Sequence, residues 1–154
     1  MKAVAAADTS ILYPAGGHDD GLNVANWEID VANEIVDGIV AGDLPPVRVI
    51  TNIEQETLDH IKDDTGISLL RDRLEEWRTP RIDFRMPPPQ AIQGARELMT
   101  TYESVEFADG ALISYLNMLE TDRVAVYTIE KKMDHIFRNA GIKPVHSPTN
   151  PFEP

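Results

Sequence analysis

The stretch VAAADTSILYP, residues 4–14, is small and apolar up to Asp8, then offers Thr9 and Ser10, then turns apolar again. A run such as Val4–Ala7 without polar alternation is the pattern of a strand buried on both faces, as in a parallel sheet covered by helices. The acid that ends it then stands at the carboxyl edge of the sheet, where open α/β folds bind their ligands. Asp, Thr and Ser are also good helix N-caps, so Asp8 has a purely structural reading as well. From these residues alone both readings stay open.

Working outward, the chain alternates strand and helix signals. A Gly/Asp-rich turn, GGHDDG, precedes a helix expected from about Asn23 to Ala41, with Val24, Trp27, Val31, Ile35 and Ile39 at helical spacing. PPVRVIT reads as a strand after a Pro-Pro break. NIEQETLDHIKDD reads as a helix with Ile53, Thr57, Leu58 and Ile61 on one face, and a second helix is expected over 66–77. RIDFRMPPP reads as an extended connector. Two helices follow, QAIQGARELMTTYESV and ADGALISYLNMLE, then the strand RVAVYT, the helix EKKMDHIFRNA stopped by Gly141, and a last strand, IKPV. Such alternation indicates βαβ units and an α/β fold with a mostly parallel sheet. One domain over residues 1–146 with an irregular tail over 147–154 is the expected organisation.

Strand candidates lead into acids. VAAA meets Asp8, VRVIT enters the helix carrying Glu54 and Glu56, RVAVYT runs through Ile129 to Glu130, and ADGALISYL carries Asp109 at its start. In a parallel sheet the strand ends share one rim, so these carboxylates converge. Crowded carboxylates repel one another and shift their pKa values upward unless a cation neutralises them. Oxygen ligands without cysteine favour Mg²⁺ or Mn²⁺ over zinc. Such ions activate water and stabilise the leaving oxygen in phosphodiester cleavage.

The 154 residues carry a formal net charge of −12 and no cysteine. The charge argues against a simple nucleic-acid binder with a basic footprint, and it suits an acidic surface solvated at high salt. Disulfide frameworks and thiolate metal sites are excluded. No cleavage-site pattern marks the N-terminus and no apolar run reaches the ~18–20 residues that span a bilayer, so the expected location is the cytoplasm, without membrane association.

Four blocks in order also resemble PIN-domain nucleases, including the VapC-type toxin ribonucleases. ADTSILY resembles the opening strand and helix start, VITNIEQETLDHI the second block with Glu56, FADGALISYL the third with Asp109, and VAVYTIEKKMDHI followed by AGIKPV the last. The resemblance implies a PIN-like three-layer α/β/α domain with about five strands. It implies a Mg²⁺- or Mn²⁺-dependent endoribonuclease whose catalytic and metal-binding residues are Asp8, Glu56, Asp109 and Glu130, supported by Thr9 and Ser10. It also implies RNA as substrate, an inhibitory antitoxin protein as partner in a toxin–antitoxin pair, and a homodimer as a frequent assembly. An RNA-processing nuclease without a toxin role, and a degenerate domain kept for protein binding, are the alternatives. Glu130 stands where Asp is usual, Lys131 and Lys132 where more acid is common, and Gly110 where Ala is common.

Several residues have competing readings. Glu54 rivals Glu56, but two residues apart on a helix they cannot face the same way, and the resemblance favours Glu56. His18 with Asp19 and Asp20 reads as a solvated loop, and His60, His135 and His146 show no ligand spacing. Arg71, Arg73, Arg78, Arg81 and Arg85 form a cluster suited to RNA phosphates. Asp72, Glu75 and Glu76 lie among them at helical spacing, so the cluster also reads as a solvated, self-paired face.

Overall fold

Four small apolar residues, Val4–Ala7, form strand β1, and every one of them is buried. This computed structural model describes residues 2–16, 24–61 and 64–153. The GGHDDG turn, His18 included, lies largely outside them. Strand β2 is Val47–Ile50, β3 Ile82–Arg85, β4 Val124–Tyr127 and β5 Ile142–Val145. They make a single sheet in the order β3-β2-β1-β4-β5, and every pairing is parallel. The fold is α/β, as the alternation predicts.

Parallel strands need crossovers, and helices supply them. Helices α1 (Thr9–Ala15) and α2 (Asn26–Ala41) follow β1, and α3 (Thr51–Asp59) and α4 (Asp64–Trp77) follow β2. Helices α5 (Pro89–Thr101) and α6 (Phe107–Asn117) follow β3. A 3₁₀ turn at Lys131–Met133 and α7 (Asp134–Asn139) join β4 to β5. β1 and β4 expose no position, which requires cover on both faces of the sheet and gives the three-layer arrangement. Ile53, Thr57 and Ile61 are buried and Leu58 packs against the core, the face that the spacing predicts. No helix among the described residues is long and apolar enough to cross a membrane.

Two expectations need correction. RIDFR is not a connector, because Ile82–Arg85 pairs with β2 along its whole length. Trp27 does not join the buried stripe of α2. Ile35 and Ile39 reach the core, whereas the Trp27 side chain is 57 % exposed. After β5 the tail is irregular, yet it returns to the sheet. The Tyr127 hydroxyl donates to the Thr149 carbonyl at 2.8 Å, and Phe152 packs against the core.

Small residues bring α5 and α6 together. A Cβ added at Gly94 would lie 2.1 Å from Ser114 Oγ and 3.1 Å from its Cβ. One added at Gly110 would lie 3.2 Å from the Ala95 carbonyl oxygen. The glycine that weakens α6 as a helix therefore admits the α5 backbone. Gly94→Ala is expected to cost about 1–3 kcal/mol through overpacking, despite its better helix propensity. Most of that cost should vanish when Ser114→Ala removes the clashing oxygen. A double-mutant cycle by urea denaturation checks this, with a coupling of about 1 kcal/mol or more expected.

Candidate active site

The strand order reverses beside β1. The chain adds β2 and β3 on one side of it, then crosses to place β4 and β5 on the other. The gap outside the carboxyl ends of β1 and β4 is thus a topological switch point, where α/β sheets hold ligands. Asp8 leaves β1 there and Glu130 follows β4.

Asp8 caps a helix and also stands at the carboxyl edge of the sheet. It is the N-cap of α1 in extended conformation, and Oδ1 accepts from Ser10 N at 3.0 Å and from Ser10 Oγ at 2.6 Å. It is also 3 % exposed and lines a cleft of about 590 Å³ at the switch point. Burial pushes its carboxyl up to about 6, against the hydroxyls of Ser10 and Thr128, which favour the charged form, and Glu130 pushes it further up.

The other acids reach the same cleft from different elements. Glu56 comes from α3, where its Oε1 accepts from Thr9 Oγ1 at 2.6 Å. Glu54 turns elsewhere, pairing with Arg78 at 2.6 Å. Asp109 sits in the first turn of α6, whose N-cap is Glu106, so Asp109 is not itself the cap. Its carboxyl is raised to about 8, first by burial and then by the charges of Asp8, Glu56, Glu130 and Glu106. Glu130 precedes the 3₁₀ turn and pairs with Lys132 Nζ at 2.9 Å.

The sequence reading gave no role to Glu106 or Thr128. Glu106 lies one helical turn before Asp109, a spacing that puts both on one face once the start of α6 is known. Thr128 is fully buried, 3.1 Å from Ser10 Oγ, and its Oγ1 accepts from Glu130 N at 3.2 Å. Ile129 N donates to Ser10 Oγ at 2.9 Å. One serine hydroxyl thus ties Asp8 to the exit of β4.

Among the described lining residues of the cleft are six carboxylates, those of Asp8, Glu28, Glu56, Glu106, Asp109 and Glu130, and Lys132 is the only lysine or arginine. The negative charge is left largely uncompensated. Among the described residues no three His, Cys, Asp or Glu side chains are drawn together as a ready coordination shell. The donor set is oxygen-rich and open. It fits a hard cation such as Mg²⁺, which keeps several waters and takes only one or two direct carboxylates.

None of the clustered arginines lines this cleft. Arg73 pairs with Glu76 and lies over the Trp77 ring, Arg78 pairs with Glu54 and Glu75, and Arg85 pairs with Asp83. Arg71 is exposed on α4. Arg81 Nε donates to the Ile39 carbonyl at 2.6 Å and a terminal nitrogen to the Leu44 carbonyl at 2.5 Å, beside Gly42, whose φ of 90° ends α2. It closes a helix C-terminus where orphan carbonyls and the helix dipole favour a cation. Arg81→Met is expected to destabilise the fold by about 2–3 kcal/mol, since bonds from a charged donor are lost. Urea denaturation checks this, and the cleft should be unaffected.

The chain matches no family model and no curated protein. The geometry of the cleft therefore carries the functional reading.

Proposed function

We propose that this chain is a PIN-like, divalent-metal-dependent endoribonuclease. The observation that carries the reading is the arrival of Asp8, Glu56, Asp109 and Glu130, from four separate segments, in one cleft at the switch point of a parallel sheet. Asp8, Glu56 and Asp109 would hold Mg²⁺ or Mn²⁺, one or two of them directly and the rest through its waters, with Glu130 binding directly or through water. The bound cation would make a coordinated water a nucleophile near neutral pH and stabilise charge on the leaving oxygen.

The protein's own part is positioning. Ser10 and Thr128 favour the charged form of the buried Asp8, the hydrogen bond from Thr9 fixes Glu56, and burial beside the other acids favours a proton on Asp109, whose charged form a divalent cation would stabilise. The closer form of the proposal is the toxin of a toxin–antitoxin pair, with a cognate antitoxin protein as partner. The pairing of Glu130 with Lys132 favours a second reading, a degenerate domain that binds another protein.

The test is incubation of the purified protein with total RNA at high salt, with Mn²⁺, with Mg²⁺ and with EDTA. Discrete fragments are expected only with metal. Absence of both cleavage and metal binding would move the assignment to the interaction domain.

A further inference from the structure

The cleft has a second kind of wall. Tyr13 and Pro14 of α1, Val24, Trp27 at the start of α2, and His60 after α3 line it together with the acids. The Tyr13 and His60 rings lie 5.5 Å apart between centroids, tilted by 54°. Trp27 is the most exposed aromatic side chain among the described residues' exposed large hydrophobics, and the chain's other tryptophan, Trp77, is buried. The apolar stripe of α2 thus runs past the end of the core and into the cleft. Solvation alone does not favour an indole in that position.

The cleft's charge selects what can lie there. Among the described lining residues, six carboxylates repel a phosphate backbone away from any bound cation, and Lys132 is paired with Glu130. Affinity for RNA beyond the cation must come from uncharged contacts. Base faces stack on aromatic rings with little dependence on sequence. In an A-form duplex those faces are already stacked on one another, so only an unpaired base is available.

We propose that Trp27, with the Tyr13–His60 pair, forms a stacking subsite for an unpaired nucleobase of single-stranded RNA beside the acid cleft. This inference rests on the ribonuclease reading and names the side chains that would hold an unpaired base beside the acids. Trp27 is a specificity determinant here, and no bond is made or broken at it.

The test uses the full chain carrying Asp8→Asn, to suppress cleavage, with Mn²⁺ present. The probes are labelled oligo(U) and oligo(A) of about a dozen nucleotides, a length suited to one such groove, and a blunt RNA duplex. Binding is read by fluorescence anisotropy. Trp27→Ala should weaken single-strand binding by about 10-fold or more, Trp27→Phe should stay within about 3-fold of the parent, and duplex should bind more weakly than either single strand. Tryptophan fluorescence gives a readout that needs no variant at position 27, because bound RNA should quench the exposed indole and shield it from acrylamide. Single-strand binding unchanged by Trp27→Ala, or RNA binding without quenching, would overturn the subsite while leaving the nuclease reading intact, and would make a protein partner the better occupant of this wall. A wild-type protein that neither cleaves nor binds RNA with Mn²⁺ would overturn the nuclease reading and the subsite together.

Discussion

Asp8→Asn is expected to reduce metal-dependent RNA cleavage by at least about 10³-fold, equivalent to about 4 kcal/mol of transition-state stabilisation, with the fold retained. Asn has nearly the same shape and can keep a carbonyl oxygen toward the Ser10 donors, so the cap of α1 survives. The negative charge is lost, and with it the carboxylate that stands deepest at the switch point. Single-turnover cleavage at saturating Mn²⁺, alongside circular dichroism, separates this from unfolding. Activity at the wild-type level in a folded Asp8→Asn protein would remove Asp8 from the mechanism.

Asp109→Asn should raise stability. A carboxyl raised from 3.8 to about 8 in the folded state binds its proton more tightly there than in the unfolded chain. Stability linked to that proton is fully present below about pH 4 and is lost as the pH rises toward 8. A rise of about four units corresponds to at most about 6 kcal/mol. At pH 8 and without divalent cations, Asp109→Asn is therefore expected to be more stable than wild type by several kcal/mol, or roughly 10 °C or more in Tm. At pH 4 the two proteins should melt within a few degrees of each other. Asp8, raised to about 6, adds a smaller effect of the same sign between pH 4 and 6. Mn²⁺ should close the gap at pH 8 by stabilising the charged wild-type cleft, and should do little for the variant. Melting curves across pH, with Mn²⁺ and with EDTA, check each point. A wild-type protein more stable than Asp109→Asn at pH 8 without metal would contradict the crowding of charge described here.

Much of this architecture is legible in local sequence, for identifiable reasons. β1 and β4 are buried on both faces, so VAAA and RVAVYT read as continuous apolar runs. β3 buries only Ile82 fully, with Asp83, Phe84 and Arg85 partly or largely exposed, and prolines follow it. An edge strand of that kind gives neither an apolar run nor a clean alternation, so it reads as a connector. Asp8, Asp109 and Glu130 are visible because each follows a strand or lies in the first turn of a helix, whereas Glu56 lies midway along α3 and is singled out only by the family resemblance. Arg81 is not legible, because its partners are backbone carbonyls 42 and 37 residues away that no side-chain pattern announces. Trp27 falls at helical spacing with Ile35 and Ile39. Periodicity gives the direction of a stripe along α2, but it cannot say where the core beneath that stripe ends.

The central place of β1 bears on how the molecule is made. Val4 pairs with Val124, so β1, which meets β2 early, waits for its other neighbour until roughly 120 residues later. At cellular elongation rates of about 5–20 residues per second, that delay is roughly 6–24 s. During this interval Asp8 has no Thr128 beside it and no Glu130 across from it, whatever β2 and β3 have already formed. If the chain is the nuclease proposed here, a nascent copy still threaded through a ribosome, surrounded by RNA, would be harmless to it until β4 emerges and the two halves of the sheet meet.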